Sequence, residues 1–492
     1  MYHLKSHIRS IYTLFCFIAF TGASYAKTYH VDSQVKFDSV NQLKLQAGDK
    51  VLLKKGSSFK GMLAPQGTGS KAAPIIISSY GNGPKPRIHA EGKHQAGLLL
   101  KDPSFIEVSG LEITNSDGSK KDQGNLFGIY ALAQSEEKTY EHVYINDCYI
   151  HTVNGNVAGK DRGGIHVHMK KLKNSKFDNL RITNNKIENV GGVGIGNRST
   201  CAGVDFKGDK TVTKNLWTKV YVAGNFVDHT GRNNIIARVS KDAIYEFNTL
   251  ANSSRYDTGH SIFCFNTVGI KIQYNEAYGN VGNEGKDRGG FDADYNCDET
   301  YIQYNYSHDN EWFCGIMKKP NRNVVIRYNI SENDRQGIYF YGFNSSKDLK
   351  NLHVYNNTHF IGKHLKKAVV FPEGRLPLES RFENNIFYFE GKGKWGKHVK
   401  GKSTKFHNNL YYGIEPHPSD KSPILLDPKF LSPGKAGQHV DWKTFKDFEG
   451  YQLKSSSPAL KAGSPIKNNG EIDFFKNRIN SKPDLGATGR GR

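Results

Sequence analysis

One short pattern decides the fold, because apolar runs that end in asparagine recur as Ile272-Gln273-Tyr274-Asn275, Ile302-Gln303-Tyr304-Asn305 and Ile326-Arg327-Tyr328-Asn329. The same frame appears in further segments, which end at Asp147, Asn185, Asn225, Asn248, Asn357, Asn385 and Asn409. Insertions aside, the spacing makes one structural unit roughly 24 residues long, which is typical of a repeat architecture. A propeller blade needs about 40 residues and a leucine-rich repeat needs regular leucines. Neither pattern is present.

Each unit contains a short run rich in β-forming residues, a polar turn and often a second run that opens with Gly-Ile, as at Gly164-Ile165, Gly194-Ile195, Gly315-Ile316 and Gly337-Ile338. Such units favour a parallel β-helix, in which each coil stacks on the previous one and inward residues form columns. Asparagine at the bend tolerates the left-handed turn conformation and can hydrogen-bond along the axis. The asparagine column is therefore predicted to be structural.

Composition supports an all-β protein and suggests a basic surface. Hydrophobic residues make up 37% of the chain, the mean hydropathy is −0.61 and there are 51 glycines, which does not suit a Leu/Ala-rich helical protein. The formal net charge is +21. An acidic glycan is a better expected partner than nucleic acid, because the sequence carries no nucleic-acid-binding motif.

The N-terminus reads as a signal peptide over residues 1–26. Lys5 and Arg9 form the basic start, Ile11–Phe20 is apolar, and Ala23-Ser24-Tyr25-Ala26 supplies small residues at cleavage spacing. We therefore predict export to the periplasm or the medium, with no membrane span. Five cysteines remain after cleavage, without a C-x-x-C motif, so zinc is not expected.

The opening segments Ala47–Leu53 and Ile75–Gly81, the asparagine repeats, and the closing segments Ser457–Leu460 and Lys482–Ala487 carry a family resemblance. The chain resembles secreted right-handed parallel β-helix proteins of the pectate-lyase-like superfamily, which includes lyases, hydrolases, epimerases and binding proteins. It also resembles the marine ulvan-oligosaccharide lyases and dehydratases, without a diagnostic motif. The resemblance implies a solenoid with an N-terminal cap and first coils at 27–104, the helix at 105–412 and a capping segment at 413–492.

The strands that follow the asparagine turns align on inward residues, in the order Ile165, Ile195, Ile235, Ile262, Phe291, Ile316 and Ile338. Residues one and three places later point outward. The first outward column contains His166, Gly196, Ile236, Phe263, Asp292, Met317 and Tyr339, and the second contains His168, Arg198, Arg238, Phe265, Asp294, Lys319 and Tyr341. These side chains favour a functional site over a solvated sheet face, which is usually richer in Ser, Thr, Lys and Glu.

The hexapeptide Gly-Lys-Asp-Arg-Gly-Gly occurs twice, at Gly159–Gly164 and Gly285–Gly290. We predict that Arg162 and Arg288 lie at the rim of a cleft together with Arg232, because guanidinium groups suit carboxylate or sulfate oxygens. The predicted substrate-binding residues are these three arginines with His166, Asp292, Asp294 and Tyr339.

For a uronic acid this inventory favours β-elimination, in which a base removes the C5 proton and the group at C4 leaves. The hypothesis assigns the base to Lys319 or His168 and the proton donor to Tyr341. Arg198 and Arg238 would neutralise the substrate carboxylate. The predicted enzyme is thus a carbon-oxygen lyase, either a chain-cleaving lyase or a dehydratase that acts on the non-reducing end.

Two other functions stay open from the sequence. A glycoside hydrolase would use Asp292 and Asp294 as its carboxylate pair, since residues i and i+2 on one strand face lie about 6.6–6.8 Å apart at Cα. A glycan-binding solenoid would bind without turnover. We expect a monomer and no required cofactor, and Asp287, Asp292 and Asp294 supply the hard oxygen ligands that calcium prefers.

Overall fold

The computed structural model describes residues 25–170, 173–282, 287–316, 320–341, 349–371, 380–396 and 404–488. Most of the predicted signal peptide, up to residue 24, lies outside these ranges. The fold prediction is confirmed, because the described chain forms a right-handed parallel β-helix built of long parallel sheets. The proposed division at residues 104 and 412 stays a prediction.

Three long parallel sheets run along the helix axis, and successive strands of each sheet come from successive coils. In the described residues the first sheet contains β1 (Thr28–Val31), β3 (Lys50–Lys54), β6 (Ile75–Tyr80), β9 (Ile106–Ser109), β12 (Thr139–Asn146), β15 (Lys176–Thr183), β20 (Tyr221–Ala223), β23 (Ile244–Glu246), β27 (Lys271–Gln273), β31 (Tyr301–Gln303), β35 (Val325–Arg327), β39 (Leu352–Tyr355), β41 (Ser380–Glu383) and β43 (Lys405–His407).

The second sheet follows the asparagine turns and contains β4 (Ser58–Lys60), β7 (Arg87–His89), β10 (Glu112–Asn115), β13 (Tyr149–Val153), β16 (Lys186–Val190), β21 (Phe226–Thr230), β24 (Thr249–Ala251), β28 (Glu276–Tyr278), β32 (Tyr306–His308), β36 (Ile330–Glu332), β40 (Thr358–Ile361), β42 (Ile386–Phe389) and β44 (Leu410–Tyr412). The third sheet contains β8 (Ala96–Lys101), β11 (Phe127–Ala133), β14 (Gly163–Met169), β17 (Val193–Ser199), β22 (Ile235–Arg238), β25 (Ile262–Phe265), β29 (Gly289–Ala293), β33 (Trp312–Ile316) and β37 (Gly337–Tyr341).

Shorter elements complete the described chain. A small parallel sheet contains β26 (Thr267–Val268), β30 (Cys297–Asp298), β34 (Asn321–Arg322) and β38 (Leu349–Lys350). Two further pairs are β2 (Lys44–Leu45) with β5 (Gln66–Gly67) and the antiparallel hairpin β18 (Gly203–Lys207) with β19 (Lys210–Lys214). The helices are α1 (Gln34–Val40) and a 3-10 helix at Lys446–Tyr451.

The repeated asparagines form a ladder between the first and second sheets. The amide nitrogen of Asn275 donates to Oδ1 of Asn305 at 3.1 Å, and Asn305 donates to Asn329 at 3.0 Å. Each Oδ1 also accepts the backbone N–H of the asparagine one coil earlier, as Asn305 does from Asn275 at 3.0 Å. The buried amides are satisfied along the axis, which explains why one residue type recurs at this bend.

Both ends of the helix are covered. Phe37 of α1 is fully buried and stacks on Phe59 at 5.0 Å between ring centroids, which closes the N-terminal coil. At the other end Asp420 accepts from the last ladder residue, Asn409, at 2.9 Å. The chain then runs back along the second sheet, where Glu276 accepts the backbone N–H of His439 at 2.8 Å. The C-terminal segment therefore covers a side of the solenoid as well as its end.

Candidate active site

The third sheet aligns its strands as predicted over five coils. Ile165 pairs with Ile195, Ile195 with Ile235, Ile235 with Ile262, and Ile262 with Phe291. All of these side chains are buried in the core. The residues that follow them consequently lie on the outer face of the sheet.

The predicted alignment is wrong for the last two strands. Phe291 pairs with Cys314 rather than with Ile316, and Ile316 pairs with Tyr341 rather than with Ile338, while Tyr339 pairs with Cys314. Tyr339 therefore points into the core, where its side chain is fully buried and its hydroxyl lies 2.8 Å from His359 Nε2. It cannot bind substrate from that position, so its assignment to the cleft is incorrect. Lys319 and the side chain of Tyr341 lie outside the described part of the molecule.

His166 and His168 lie on the outer face but are covered. Their exposed fractions are 0% and 1%, and the ring of Phe127 packs within 5.1 Å and 5.6 Å of them. His168 Nδ1 lies 3.2 Å from the hydroxyl of Tyr130. Burial holds the pKa of His166 at about 4 and lowers the pKa of His168 well below its usual value. Neighbouring rings cover both histidines in this structure, which does not favour the predicted role of His168 as a base.

Four of the five predicted arginines form ion pairs with aspartates. Asp161 forms ion pairs with both Arg198 and Arg238, the latter at 3.1 Å. The remaining pairs are Arg162 with Asp122, at 2.6 Å, and Arg232 with Asp257. Arg288 donates to the carbonyl of Gly282. Internal pairing neutralises much of the positive charge that the sequence suggests for this surface.

Two buried carboxylates lie in and just after β29. Asp292 is 2% exposed and Asp294, which follows the strand, is 8% exposed. Burial raises the pKa of Asp292 well above its usual range, and the neighbouring charges of Asp294 and Asp287 raise it further. Two neighbouring carboxylates, one of them with a raised pKa, are the groups that a glycoside hydrolase uses as acid and base.

His260 packs beside Asp292 just before β25. Its Nε2 lies 3.7 Å from Asp292 Oδ2, and its Nδ1 accepts the backbone N–H of Gly289 at 2.9 Å. Among the described residues, neither His260 Nε2 nor Asp292 Oδ1 has a hydrogen-bond partner. Both groups border a small cavity of about 30 Å³ that Asp287, Asp294 and Lys160 also line. That volume is sufficient for about one water molecule or a substrate hydroxyl.

Gly315 lies beside His260 and Asp292, and its lack of a side chain leaves room there. Gly315 pairs with Asp292 in the register of β29 and β33. A Cβ at Gly315 would lie 2.9 Å from His260 Cε1 and 3.0 Å from Asp292 Oδ1. A side chain at position 315 would therefore crowd both His260 and the carboxyl group of Asp292.

The cleft continues from the carboxylates toward the N-terminal coils. A pocket of about 400 Å³ is lined by Arg198, Arg238, Phe263, Phe265, Asp294 and Tyr295, among others. A second pocket of about 250 Å³ reaches Phe127 and Lys170. Lys160 lines all three spaces and lies 5.0 Å from the ring centroid of Phe263. The result is an elongated cleft that combines charged groups with aromatic rings, as oligosaccharide binding requires.

Part of this site is not evident from the sequence. The repeated hexapeptide directed attention to its arginines, whereas its aspartates, Asp161 and Asp287, line the cleft together with Lys160. The repeat was the available signal, since it places Lys-Asp-Arg immediately before a strand of the third sheet at both positions. The contact of His260 with Asp292 joins residues of different coils, so the sequence does not reveal it.

The structure gives no support for a metal centre within the ranges that it describes, because no cluster of three or more His, Cys, Asp or Glu side chains there could hold an ion. The calcium hypothesis stays a prediction. No described helix is long and apolar enough to cross a membrane.

Comparisons with known proteins identify carbohydrate-active relatives. No protein-family model matches the sequence. The chain is 28% identical to a lacto-N-biosidase of Bifidobacterium longum subsp. longum, over 90% of this chain and 34% of that protein. It therefore spans about a third of the length of that curated relative.

Solved structures support the fold. A GH136 lacto-N-biosidase from Eubacterium ramulus matches with a TM-score of 0.54 and 20% identity, over 81% of this chain and 68% of that one. A PL6 family alginate lyase, AlyGC, matches with a TM-score of 0.52 and 14% identity, over 94% of this chain and 59% of that one. At these identities the two likenesses concern the parallel β-helix alone.

The curated relative corrects the functional prediction. Lacto-N-biosidase is a glycoside hydrolase, so the predicted carbon-oxygen lyase activity is wrong, and ulvan has no support as the substrate. The alternative that the sequence left open, a glycoside hydrolase, agrees better with this relative. The carboxylate pair takes the place of the histidine and arginine columns as the candidate centre of reaction.

Proposed function

We propose that this chain is a glycoside hydrolase in which Asp292 is the general acid and Asp294 the second catalytic carboxylate. The observation that carries the proposal is the pairing of a buried carboxyl group of raised pKa with a second carboxylate at the base of an elongated cleft. A raised pKa favours the protonated form of Asp292, which is the form that a general acid requires. The 28% identity to a lacto-N-biosidase supports the same reaction class.

The reaction needs two carboxyl groups in different protonation states. Asp292 would donate its proton to the glycosidic oxygen as the bond to the anomeric carbon breaks. Asp294 would then either take a proton from an attacking water or bond to the anomeric carbon until water displaces it. In both routes one water is consumed and one new reducing end is formed. The stereochemistry of the product distinguishes the two routes.

Charge pairing in the cleft bears on the substrate. Asp161 pairs with Arg198 and Arg238, and Asp257 pairs with Arg232, so these arginines are less available to a densely anionic chain. We therefore favour a glycan with few acidic groups over the anionic glycan predicted from net charge. Phe263 and Phe265 line the cleft and suit the apolar faces of sugar rings. The relative's name makes oligosaccharides that carry lacto-N-biose the first substrates to test.

Export is part of the proposal and rests on the predicted signal peptide at residues 1–26. Cleavage after Ala26 would leave Lys27 as the first residue. Sequencing the N-terminus of protein recovered from the periplasm or medium tests this step.

The test of function is product analysis on a glycan panel. Wild type and the Asp292→Asn variant are incubated with lacto-N-biose-bearing oligosaccharides and, as the anionic comparison, with alginate and pectin oligosaccharides. We expect new reducing ends with wild type on the former, and strongly reduced release with the variant. Ultraviolet absorbance from unsaturated uronic acids, or the absence of cleavage across the panel, would contradict the proposal.

A further inference from the structure

Two buried cysteines from neighbouring coils touch each other through their sulfur atoms. The Sγ atoms of Cys264 and Cys297 lie 3.6 Å apart, and both residues are 0% exposed. At this separation the sulfurs are in van der Waals contact, so no atom lies between them. The two residues are 33 positions apart in the chain, which is about one coil of the helix.

The fold accounts for this contact. Cys264 lies on the inner side of β25, and its partner in β29 is the small residue Ala293. Cys297 opens β30 in the next coil and pairs with Thr267. Because Ala293 fills little of the interior, the two thiols share the space beside it.

We propose that Cys264 and Cys297 form a disulfide when the chain folds in an oxidising compartment. The two thiols lose two protons and two electrons, one S–S bond forms, and a disulfide-bearing oxidant is reduced to its two thiols. Closure requires the sulfurs to approach from 3.6 Å to about 2.05 Å. The proposal rests on the predicted export and not on the proposed function.

The order of events follows from burial. The contact with Cys297 is the larger cause, and burial the smaller one, that raises the pKa of the Cys264 thiol well above its usual value. Since the thiolate is the reactive species, exchange with an external oxidant has to occur before the coils close over these residues. The bond would then be resistant to reductants in the folded protein.

The other three thiols have different neighbours. Cys148, Cys201 and Cys314 donate to backbone oxygens of Asn146, Ser175 and Gly315 at 3.5, 3.3 and 3.4 Å. One pair and three free thiols thus account for the odd number of cysteines after removal of the signal peptide.

The cross-link would lie directly beneath the catalytic strand. Ala293, the partner of Cys264, stands between Asp292 and Asp294, and the thiol of Cys264 lies 3.8 Å from the backbone oxygen of Asp292. A bond from Cys264 to Cys297 would tie the strand that precedes the carboxylates to the segment that follows them. This places a covalent brace on both sides of the candidate active site.

The test is peptide mapping of the exported full-length protein. The protein is unfolded in guanidinium with iodoacetamide, digested without reductant and analysed by mass spectrometry. We expect one linked peptide pair that contains Cys264 and Cys297, and alkylated Cys148, Cys201 and Cys314. Alkylation of both Cys264 and Cys297, or a link from Cys264 to Cys314, would overturn the proposal.

A second measurement makes the result independent of the host. Protein reduced in denaturant is refolded with and without a mixture of oxidised and reduced glutathione. Oxidised refolding should produce the same pair and raise Tm by about 2–4 °C over the reduced protein. The variants Cys264→Ser and Cys297→Ser should lose this difference, whereas the control Cys148→Ser should keep it. Equal Tm values for oxidised and reduced wild type, with both thiols free, would overturn the proposal.

Discussion

The imidazole of His260 faces the carboxyl group of Asp292, with 3.7 Å between Nε2 and Oδ2. Because the backbone N–H of Gly289 donates to His260 Nδ1, the ring proton lies on Nε2 and points toward Asp292. Burial holds the pKa of His260 at about 4, so the ring is neutral at higher pH. A neutral donor can orient the carboxyl group without adding a positive charge that would strip its proton.

His260 should therefore act as a positioning residue. In His260→Ala the imidazole beside the carboxyl group of Asp292 is lost, so the pKa of Asp292, and with it the alkaline limb of kcat/KM, should shift. We expect kcat to fall by about 10-fold or more, with little change in KM. His168→Ala is the matched control, since His168 is buried on the same sheet near Phe127 and away from the carboxylates. Identical pH profiles for wild type and His260→Ala would contradict this role.

Replacing Asp292 by asparagine should abolish activity and stabilise the protein at neutral pH. Because the pKa of Asp292 is raised in the folded state, the native protein holds a proton that the unfolded chain has already released above about pH 4. Wild-type stability is therefore present at low pH and is lost as pH rises through the folded pKa. The amide in Asp292→Asn does not titrate, so the Tm difference between variant and wild type should grow from acidic to neutral pH. Thermal unfolding across that range checks the sign, and a difference that shrinks with rising pH would rule out a raised pKa.

Substitutions of Asp294 and Asp287 should have different effects on turnover, because Asp294 is the proposed catalytic carboxylate and Asp287 a supporting one. Asp294→Ala should lower turnover by about 10³-fold, and added azide should restore part of it by taking the place of the missing group. Asp287→Asn should retain more activity and mainly lower the pKa of Asp292, because one neighbouring negative charge is removed. Greater loss in Asp287→Asn than in Asp294→Ala would transfer the second catalytic role to Asp287.

Filling the space above Asp292 should block the reaction. Gly315→Ala places a methyl group 3.0 Å from Asp292 Oδ1, where substrate or water has to approach. We expect kcat/KM to fall by about 10²-fold while circular dichroism stays that of a β protein. Gly196→Ala provides the control, because its Cβ would meet the ring of buried His166 at 2.8 Å instead. Equal losses in both variants would indicate general strain in the sheet.

The fold was predictable because its determinants recur at one bend of each coil. Asn275, Asn305 and Asn329 each satisfy the amide of a neighbouring coil, so the same residue is needed in each repeat. The alignment failed at β33, where Gly315-Ile316 resembles Gly164-Ile165 but Cys314 holds the inward position beside Phe291. A two-residue motif does not fix register when the strand begins at a different distance from the preceding turn.

The site was less predictable because its electrostatics depend on contacts between distant residues. Asp161 pairs with Arg238 across 77 positions of sequence. The sequence therefore suggests more unpaired positive charge along the arginine column than the folded chain has. His168 similarly has a side chain that could act as a catalytic base, but Phe127 and Tyr130 cover it from another coil. Only Asp292 and Asp294, which are close in sequence, were recognisable as a pair beforehand.

The most direct test of the central claim is cleavage of a lacto-N-biose-bearing oligosaccharide in water enriched in heavy oxygen, followed by mass spectrometry of the products. If Asp292 and Asp294 catalyse hydrolysis, wild type should place one heavy oxygen at the new reducing end, and Asp292→Asn and Asp294→Ala should each release far less product. An unsaturated product without heavy oxygen, or labelled product formed at the wild-type rate by both variants, would contradict the account.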